Sequence, residues 1–251
     1  MALAVPKANK EIIPRCRRLL FAWTQTSATA PRLDCHQLFS LCSTGILFTM
    51  PTPSQPGQIL TVAATGASGA VFTRALLLAA ERDPRIGTVN FIASDNALRV
   101  FAEELGIKGR SDLVQQLIGR KAEKIRAQNI DDIGANVASG SYPTNAMMIL
   151  PCSMGTLAGI ANGLAGNLVQ RAADVCLKEK RPLVLCVRET PLNLIHIRNM
   201  HHAAEAGATI YPLIPTFYNQ PKSLDEMAHQ FACRVLAFIG LQQDDAYVWG
   251  G

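Results

Sequence analysis

Five short, mostly apolar runs alternate with amphipathic stretches along the part of the chain after residue 57. They cover residues 59–64, 88–93, 146–150, 183–187 and 209–213. Apolar runs of this length predict strands that are buried on both faces of a parallel sheet. The stretches between them have helical spacing of apolar residues, so helices are expected on both faces. The pattern therefore predicts a single α/β domain: a doubly wound, mostly parallel sheet in a three-layer sandwich of Rossmann-like or flavodoxin-like type.

The helices are predicted from the same periodicity and from capping signals. Expected helices run from Ala70 to Glu81, from the end of the second strand to Gly106, and from Leu113 to Arg126. Two more are expected between residues 154 and 182, and another from Thr190 past His201. Ser223, followed by Asp and Glu, has N-cap character and predicts a helix through Phe238.

Residues 1–57 differ in composition from the rest. They mix Pro, Ser, Thr and Arg, contain six Lys or Arg against two acidic residues, and end in a Pro-rich linker. Three hypotheses fit: translation starts at Met50, the segment is a transit peptide for mitochondria, or it is a functional arm. In each case poor order is expected. The predicted division is residues 1–57 as extension and linker, and residues 58–251 as the functional domain.

Composition excludes several function classes. Of the net charge of +5, the first 50 residues carry +4, so the remaining chain offers no electrostatic case for nucleic acid. The longest apolar run is far below the ~20 residues of a membrane span. Seven cysteines without a CxxC pair favour reduced core residues, a cytoplasmic location and no metal site. His196, His201 and His202 also lack metal-ligand spacing.

Polar residues follow the predicted strands where ligands of parallel sheets bind. A Gly-rich turn, residues 65–70, joins the first strand to a helix and could bring backbone N–H groups to a phosphate, although many such turns only make a tight connection. A Ser-Met-Gly-Thr turn follows the third strand. Arg188 and Glu189 follow the fourth and must be paired or face a cleft. Arg171 and Lys178 lie two helical turns apart and, like Glu103 and Glu104, are also compatible with a solvated face.

At this point the motifs resemble a known family. The runs are TGASGA (65–70), SGS (139–141), PCSMGTL (151–157), RAADVCLKEKRPLVLCVRETP (171–191) and FYNQPKSLD (217–225). Together they are similar to the UbiX flavin prenyltransferases, over about residues 58–249. The Gly-rich turn alone is not specific, whereas the block from 171 to 191 is.

The resemblance implies a transferase that joins the dimethylallyl group of dimethylallyl phosphate to N5 and then C6 of reduced FMN, closing a fourth ring. The product, prenylated FMN, serves UbiD-type decarboxylases in ubiquinone biosynthesis or aromatic-acid decarboxylation. The family uses no metal and assembles as homododecamers. Whether dimethylallyl diphosphate also serves as donor stays open.

The resemblance also implies site residues, position by position. The flavin-binding positions are Gly66, Ala67, Ser68, Ser94, Ser153, Met154, Gly155, Thr156 and Arg188. The positions around the donor phosphate are Arg171, Lys178, Tyr218 and Arg234, and Trp249 matches a late tryptophan. The catalytic positions are Glu189, Ser68, Glu104, Lys178 and Arg171. Arg and Lys would stabilise the leaving phosphate, Glu189 would transfer a proton, and Ser68 would orient the flavin near N5. Arg234, between apolar neighbours on its helix, is expected to be half-buried.

Two alternatives are kept. An FMN-dependent cysteine decarboxylase of the same fold superfamily would share the Gly-rich turn, but the chain lacks its substrate motif and has no His between residues 37 and 195. A non-catalytic flavin-binding paralogue would not need the phosphate group of residues. One departure from the family pattern is Asp95, where Lys is common; it touches none of the catalytic positions.

Overall fold

The computed structural model describes residues 57–250. The hypotheses about the N-terminal segment, including a start at Met50 and a transit peptide, lie outside these residues. Within them, no helix is long and apolar enough to cross a membrane.

Six parallel strands form one sheet in the order β3-β2-β1-β4-β5-β6. The strands are β1 (Gln58–Ala64), β2 (Ile86–Ala93), β3 (Ile125–Gln128), β4 (Ala146–Cys152), β5 (Leu183–Val187) and β6 (Thr209–Ile210). The order reverses direction between β1 and β4, as in Rossmann-type sheets, where the crevice at the carboxyl ends is the usual ligand site.

The central strands are buried on both faces, which explains their continuous apolar sequences. In β1, Val62 packs in one hydrophobic cluster and Ala63 in the other; in β4, Met148 and Ile149 divide in the same way. All four side chains have no exposed surface. Successive residues of a strand point to opposite faces, so a strand between two helix layers needs apolar residues at every position.

Within residues 57–250, seven α-helices cover the two faces of the sheet. They are α1 (Ala70–Arg82), α2 (Asp95–Leu105), α3 (Leu113–Ile118), α4 (Met154–Ala161), α5 (Leu168–Lys178), α6 (Leu194–Glu205) and α7 (Leu224–Phe238). Most buried apolar residues of α1, α2, α3 and α7 belong to one cluster, and most of those of α4, α5 and α6 belong to the other. This arrangement confirms the predicted doubly wound three-layer sandwich.

The strand at β5 and the helix at α7 agree with the sequence prediction. Residues Leu183–Val187 form β5 with the expected bounds. Ser223 caps α7 by accepting a hydrogen bond from the backbone N–H of Glu226 at 3.1 Å. Both elements could be predicted from local sequence, because a fully buried strand appears as an unbroken apolar run and an N-cap appears as a capping residue before the helix.

The predicted helix from Leu113 to Arg126 is wrong in its second half. The helix ends at Ile118, where Gly119 takes a left-handed conformation with φ +73°. Residues Ile125–Gln128 pair with β2 as the edge strand β3, in which only Ile125 is buried. A four-residue edge strand that is mostly exposed has no run of apolar residues to mark it in the sequence. Its polar residues fitted the helical spacing of the preceding residues, so the prediction extended the helix through them.

Two element bounds also differ from the prediction. Strand β6 has two residues rather than five, although the N–H groups of Tyr211 and Leu213 still donate to Leu185 and Val187 of β5. Pro212 interrupts the strand because it has no N–H to donate. Helix α6 begins at Leu194, later than expected, with Asn193 as its N-cap.

Candidate functional site at the carboxyl edge of the sheet

The turns after β1 and β4 are joined directly by Thr65. Its Oγ1 donates to the carbonyl oxygen of Pro151 at 2.9 Å and accepts from the backbone N–H of Ser153 at 2.8 Å. Its own N–H also donates to Pro151, at 3.1 Å. Thr65 is buried, so these bonds are shielded from water. They fix the two predicted flavin-binding turns against each other at the point where the strand order reverses.

The turn after β4 starts α4 with a side-chain cap. Ser153 Oγ accepts from the N–H of Thr156 at 3.4 Å and donates to Thr156 Oγ1 at 3.1 Å. Gly155, in the first turn of the helix, is exposed, and a Cβ placed on it would meet no atom within 4 Å. The surface above this turn is therefore open, and Met154, buried below it, anchors the turn in the core.

The turn after β1 is shaped by close packing and by Glu104. A Cβ on Gly66 would lie 2.4 Å from Cβ of Asn96, so only glycine fits there. Ala67 is buried, whereas Ser68 is exposed. The carboxylate of Glu104 accepts from the N–H of Gly69 at 3.0 Å and from that of Ala70 at 2.7 Å. These are the donors expected to reach a phosphate; in the structure a side chain of the same chain uses them.

The ends of β2 and β5 complete this edge. Ser94 N-caps α2, accepting from the N–H of Ala97 at 3.1 Å, and its own N–H donates to Ala64 at 3.0 Å. The N–H of Arg188 donates to Cys152 at 3.1 Å. The side chains of Arg188 and Glu189 are exposed at the carboxyl end of β5, and the prediction that they face a ligand cleft stays a prediction.

Tyr218, Arg234 and Trp249 line one pocket of about 490 Å³. The rings of Tyr218 and Trp249 meet edge to face with centroids 4.8 Å apart. Arg234 is exposed rather than half-buried, because the neighbours that cover its helix on the inner side leave its own side chain facing the pocket. The pocket is otherwise largely apolar, with Ala237 and Val248 among its lining residues.

The segment after β6 runs between the Gly-rich turn and this pocket. Leu213 continues along β5 and lies over the turn, where a Cβ on Gly69 would come within 3.1 Å of Leu213 Cδ1. Three residues later Thr216 lines the pocket. One short segment therefore contacts the Gly-rich turn through Leu213 and lines the pocket around Arg234 through Thr216.

Arg171 and Lys178 do not join this pocket within one chain. Both are on α5, which packs in one cluster of the core, whereas Arg234 is on α7, in the cluster on the other face of the sheet. Arg171 pairs with Asp174 at 2.8 Å and donates to the carbonyl oxygen of Ala138 at 3.1 Å. Lys178, which pairs with Glu179, is the last residue of α5 and lies beside the loop that precedes β4. The sheet separates these two cations from Tyr218 and Arg234.

The cysteines of the described chain are core residues, as predicted for Cys176, Cys186 and Cys233. Cys152, Cys176, Cys186 and Cys233 are free and buried. Burial raises the pKa of Cys152 to about 12 and that of Cys176 to about 11. Although Cys152 adjoins the Ser153 turn, its thiol is therefore protonated near neutral pH and is no nucleophile.

Sequence reasoning missed Thr65 as the residue that positions both turns. A threonine directly after an apolar run is common, and its hydrogen bonds reach a residue 86 positions away. Only the prediction that β1 and β4 are neighbours could have pointed to it. The contact between Glu104 and the Gly-rich turn was missed for the same reason.

Comparison with known proteins assigns the chain to a family. A profile of the flavoprotein family matches residues 50–228. The flavin prenyltransferase UbiX of Escherichia coli K12 is 44% identical over 194 residues, which are 76% of this chain and 98% of that protein. The flavin prenyltransferase UbiX of Halalkalibacterium halodurans is 41% identical over 194 residues, 76% of this chain and 93% of its own.

Solved structures agree with these relatives. A dodecameric FMN-dependent UbiX-like decarboxylase from Escherichia coli O157:H7 superposes with a TM-score of 0.70 at 40% identity, covering 77% of this chain and all of the other. AnUbiX in complex with FMN and dimethylallyl pyrophosphate gives a TM-score of 0.69 at 37% identity, covering 78% of this chain and 98% of the other. The resemblance predicted from the motifs is thereby confirmed: the chain belongs to the flavoprotein family and, within it, to the UbiX flavin prenyltransferases.

Proposed function

We propose that the protein transfers the dimethylallyl group of dimethylallyl phosphate to N5 and C6 of reduced FMN, making prenylated FMN. The observation that carries the proposal is that one short segment, residues 213–216, links two features: the carboxyl edge of the sheet at its switch point, and a pocket that combines Arg234 with Tyr218 and Trp249. Relatives of the same family support this hypothesis over a cysteine decarboxylase or a non-catalytic paralogue.

The crevice suits a flavin. The open surface above Gly155 allows a flat ring to approach the first turn of α4, and Thr65 keeps that turn in register with Gly66, Ala67 and Ser68. Ser94, Ser153, Met154, Thr156 and Arg188 complete the proposed binding set. When bound, reduced FMN supplies the N5 and C6 positions that accept the prenyl group.

The pocket suits a prenyl phosphate. The Arg234 guanidinium can bind phosphate oxygens with two parallel N–H groups, and the Tyr218 hydroxyl can donate a further hydrogen bond. Breaking the bond between C1 and oxygen leaves both electrons on the phosphate, so fixed positive charge beside it lowers the barrier. The aromatic face of Trp249 and the apolar wall favour the five-carbon group, and aromatic faces also stabilise developing positive charge on carbon.

Proton transfer falls to the carboxylates at the open side of the crevice. Glu189 is exposed next to Arg188, and its only described hydrogen bond is accepted from the N–H of Thr190 at 2.9 Å. It is therefore free to carry a proton between flavin and leaving phosphate. Glu104 is held by the N–H groups of Gly69 and Ala70 and acts from a fixed position. Ser68 orients the flavin.

Arg171 and Lys178 complete a site in a neighbouring copy of the chain. The sheet separates them from Arg234 in their own chain, so they can serve the same phosphate only across an interface. Helix α6 presents an apolar surface suited to such contacts: Leu194, Ile195 and Ile197 are each at least half exposed. We infer a homododecamer, the assembly named for the E. coli O157:H7 structure.

The product would serve a UbiD-type decarboxylase, in ubiquinone biosynthesis or aromatic-acid breakdown. The free buried cysteines support a reducing compartment, and we place the protein in the cytoplasm, with mitochondria as the alternative if residues 1–50 are a transit peptide. The proposed domain boundary at residue 58 coincides with the start of the sheet.

Anaerobic incubation of the full chain with reduced FMN and dimethylallyl phosphate tests the proposal. Mass spectrometry of the extracted flavin should show the gain of one five-carbon prenyl unit, and a parallel reaction with the diphosphate identifies the donor. Arg234→Gln should lower the prenylation rate while leaving FMN binding unchanged. Flavin that remains unmodified with both donors would contradict the transferase assignment.

A further inference from the structure

Three potential metal ligands meet outside the crevice. His229 and Cys233 lie one turn apart on α7, and Asp245 comes from the C-terminal segment. His229 Nε2 is 2.8 Å from Asp245 Oδ2 and 3.4 Å from Cys233 Sγ, and Sγ is 3.8 Å from Asp245 Oδ1. No metal site was predicted from the sequence because the chain has no paired cysteines; one His, one Cys and one Asp that only the fold brings together have no such spacing.

The spacing of these atoms fits tetrahedral coordination. Zinc takes sulfur at about 2.3 Å and nitrogen or oxygen at about 2.0–2.2 Å, so neighbouring ligand atoms of a tetrahedron lie about 3.3–3.6 Å apart. With one ligand atom taken from each residue, the three atoms lie within 4.8 Å of one another, and the separation of 3.4 Å between His229 Nε2 and Cys233 Sγ falls in the tetrahedral range. His229 and Asp245 line a solvent-facing pocket, which leaves room for water as a fourth ligand.

Charge favours a cation over a nucleophile at this place. Cys233 has no exposed surface, so its thiol is not reachable as a nucleophile. A divalent cation between the sulfur and the Asp245 carboxylate would be bound by two anionic donors, the thiolate and the carboxylate. Sulfur and imidazole donors select zinc over magnesium or calcium.

We propose that His229, Cys233 and Asp245 bind a zinc ion that fastens the C-terminal segment to α7. That segment is already held to the helix by Gln230, whose amide donates to the carbonyl oxygen of Asp245 at 3.0 Å and accepts from the N–H of Tyr247 at 2.7 Å. Two residues further on, Trp249 lines the pocket with Arg234. The ion takes no part in the transfer; it fixes the wall of the pocket, and its binding does not depend on the proposed reaction.

Cobalt(II) tests the site, since it replaces zinc and reports thiolate ligation in its absorption spectrum. The full chain, stripped with a chelator, is titrated with cobalt(II) chloride, and bound metal is counted by elemental analysis. Wild type should bind one equivalent with a thiolate-to-cobalt charge-transfer band that zinc(II) removes. Cys233→Ser should lose that band, and Asp245→Asn, at an exposed position, should weaken binding at least tenfold with an unchanged melting temperature.

Matched controls separate this site from other ligands. Cys176→Ser removes a buried thiol on α5 and should leave the band intact, as should His202→Ala on α6. Because Cys16, Cys35, Cys42 and His36 could also bind cobalt, the difference between wild type and Cys233→Ser is the measured quantity. An identical charge-transfer band in both proteins, or no bound cobalt in wild type, would overturn the proposal.

Discussion

Removing the Glu104 carboxylate should weaken the start of α1. In the structure that carboxylate satisfies two backbone donors at the helix N-terminus, Gly69 N–H and Ala70 N–H. Loss of an N-cap acceptor costs about 0.5–2 kcal/mol, and a negative charge at a helix N-terminus contributes about 0.3–1 kcal/mol more. Since Glu104 is partly solvated, water replaces part of this, and Glu104→Ala should lower the free energy of unfolding by about 1–2 kcal/mol.

Thermal unfolding measures the effect. In a domain of this size 1 kcal/mol shifts the melting temperature by about 2–4 °C, so Glu104→Ala should lower it by about 3–6 °C. Glu104→Gln keeps one acceptor oxygen and should lose about half as much. Glu103→Ala is the matched control: Glu103 pairs with Arg99 on the surface, with side chains 63% and 79% exposed, and pairs so exposed contribute little to stability.

The same variant should acquire an anion site. Without Glu104 the N–H groups of Gly69 and Ala70 are free to bind inorganic phosphate at the positive end of α1. Phosphate should therefore raise the melting temperature of Glu104→Ala more than that of wild type or Glu103→Ala. Equal losses of stability at positions 103 and 104, or an equal response to phosphate, would refute the assignment of the carboxylate to the helix terminus.

Three further predictions test the rest of the molecule. Gly155→Ala, where a Cβ meets open space, should leave the melting temperature unchanged or slightly raised but weaken FMN at least tenfold in a fluorescence titration; unchanged affinity would remove this turn from the flavin site. Burial would raise the pKa of Asp83, but hydrogen bonds from Arg85 and Gln243 outweigh it and lower the pKa to about 2. Because the pKa of Asp83 is lower in the folded state, its carboxylate stabilises the protein above the unfolded pKa, and Asp83→Asn should lower the free energy of unfolding by about 2 kcal/mol at pH 7. In urea unfolding repeated from pH 4 down to pH 2, the difference in unfolding free energy between wild type and Asp83→Asn should fall toward zero; a difference that stays constant with pH would contradict this. Co-expressed Arg171→Ala and Arg234→Ala chains should regain about a quarter of wild-type activity, because random mixing rebuilds that share of sites across interfaces, whereas no recovery would place both residues in one chain's site.

The sequence predicted the fold where each element carries its own signal. Strands β1, β4 and β5 lie between two helix layers, and this position forces the unbroken apolar runs that predicted them. Strand β3 has one buried residue among four, and so its sequence is indistinguishable from a polar helix end. Strand β3 forms by pairing with β2, a long-range contact that the local sequence pattern does not predict.

For the site, too, the sequence predicted the positions of residues at strand ends but not the contacts that these residues make. Polar residues at the ends of buried strands, such as Ser94 and Arg188, could be placed from chain position alone, because parallel strands bring their carboxyl ends to one edge. Their partners could not be: Thr65 and Glu104 act through contacts 86 and 34 residues away. Nor does the spacing of Arg171 and Lys178 on one helix reveal that this helix lies across the sheet from Arg234.

Exposure of the proposed donor pocket is the strongest physical argument for assembly. Transfer of a prenyl group with a developing carbocation requires that water be kept from the reacting carbon. In the single chain, however, Tyr218 is 69% exposed and Trp249 is 73% exposed, so this pocket cannot exclude water by itself. The cations that would complete it, Arg171 and Lys178, face away from it on the other side of the sheet. The single chain therefore lacks both a cover against water and the two cations. A neighbouring copy that covers Tyr218 and Trp249 and brings Arg171 and Lys178 of its α5 to the phosphate would supply both. The catalytic unit that we infer is therefore an interface between chains rather than a chain.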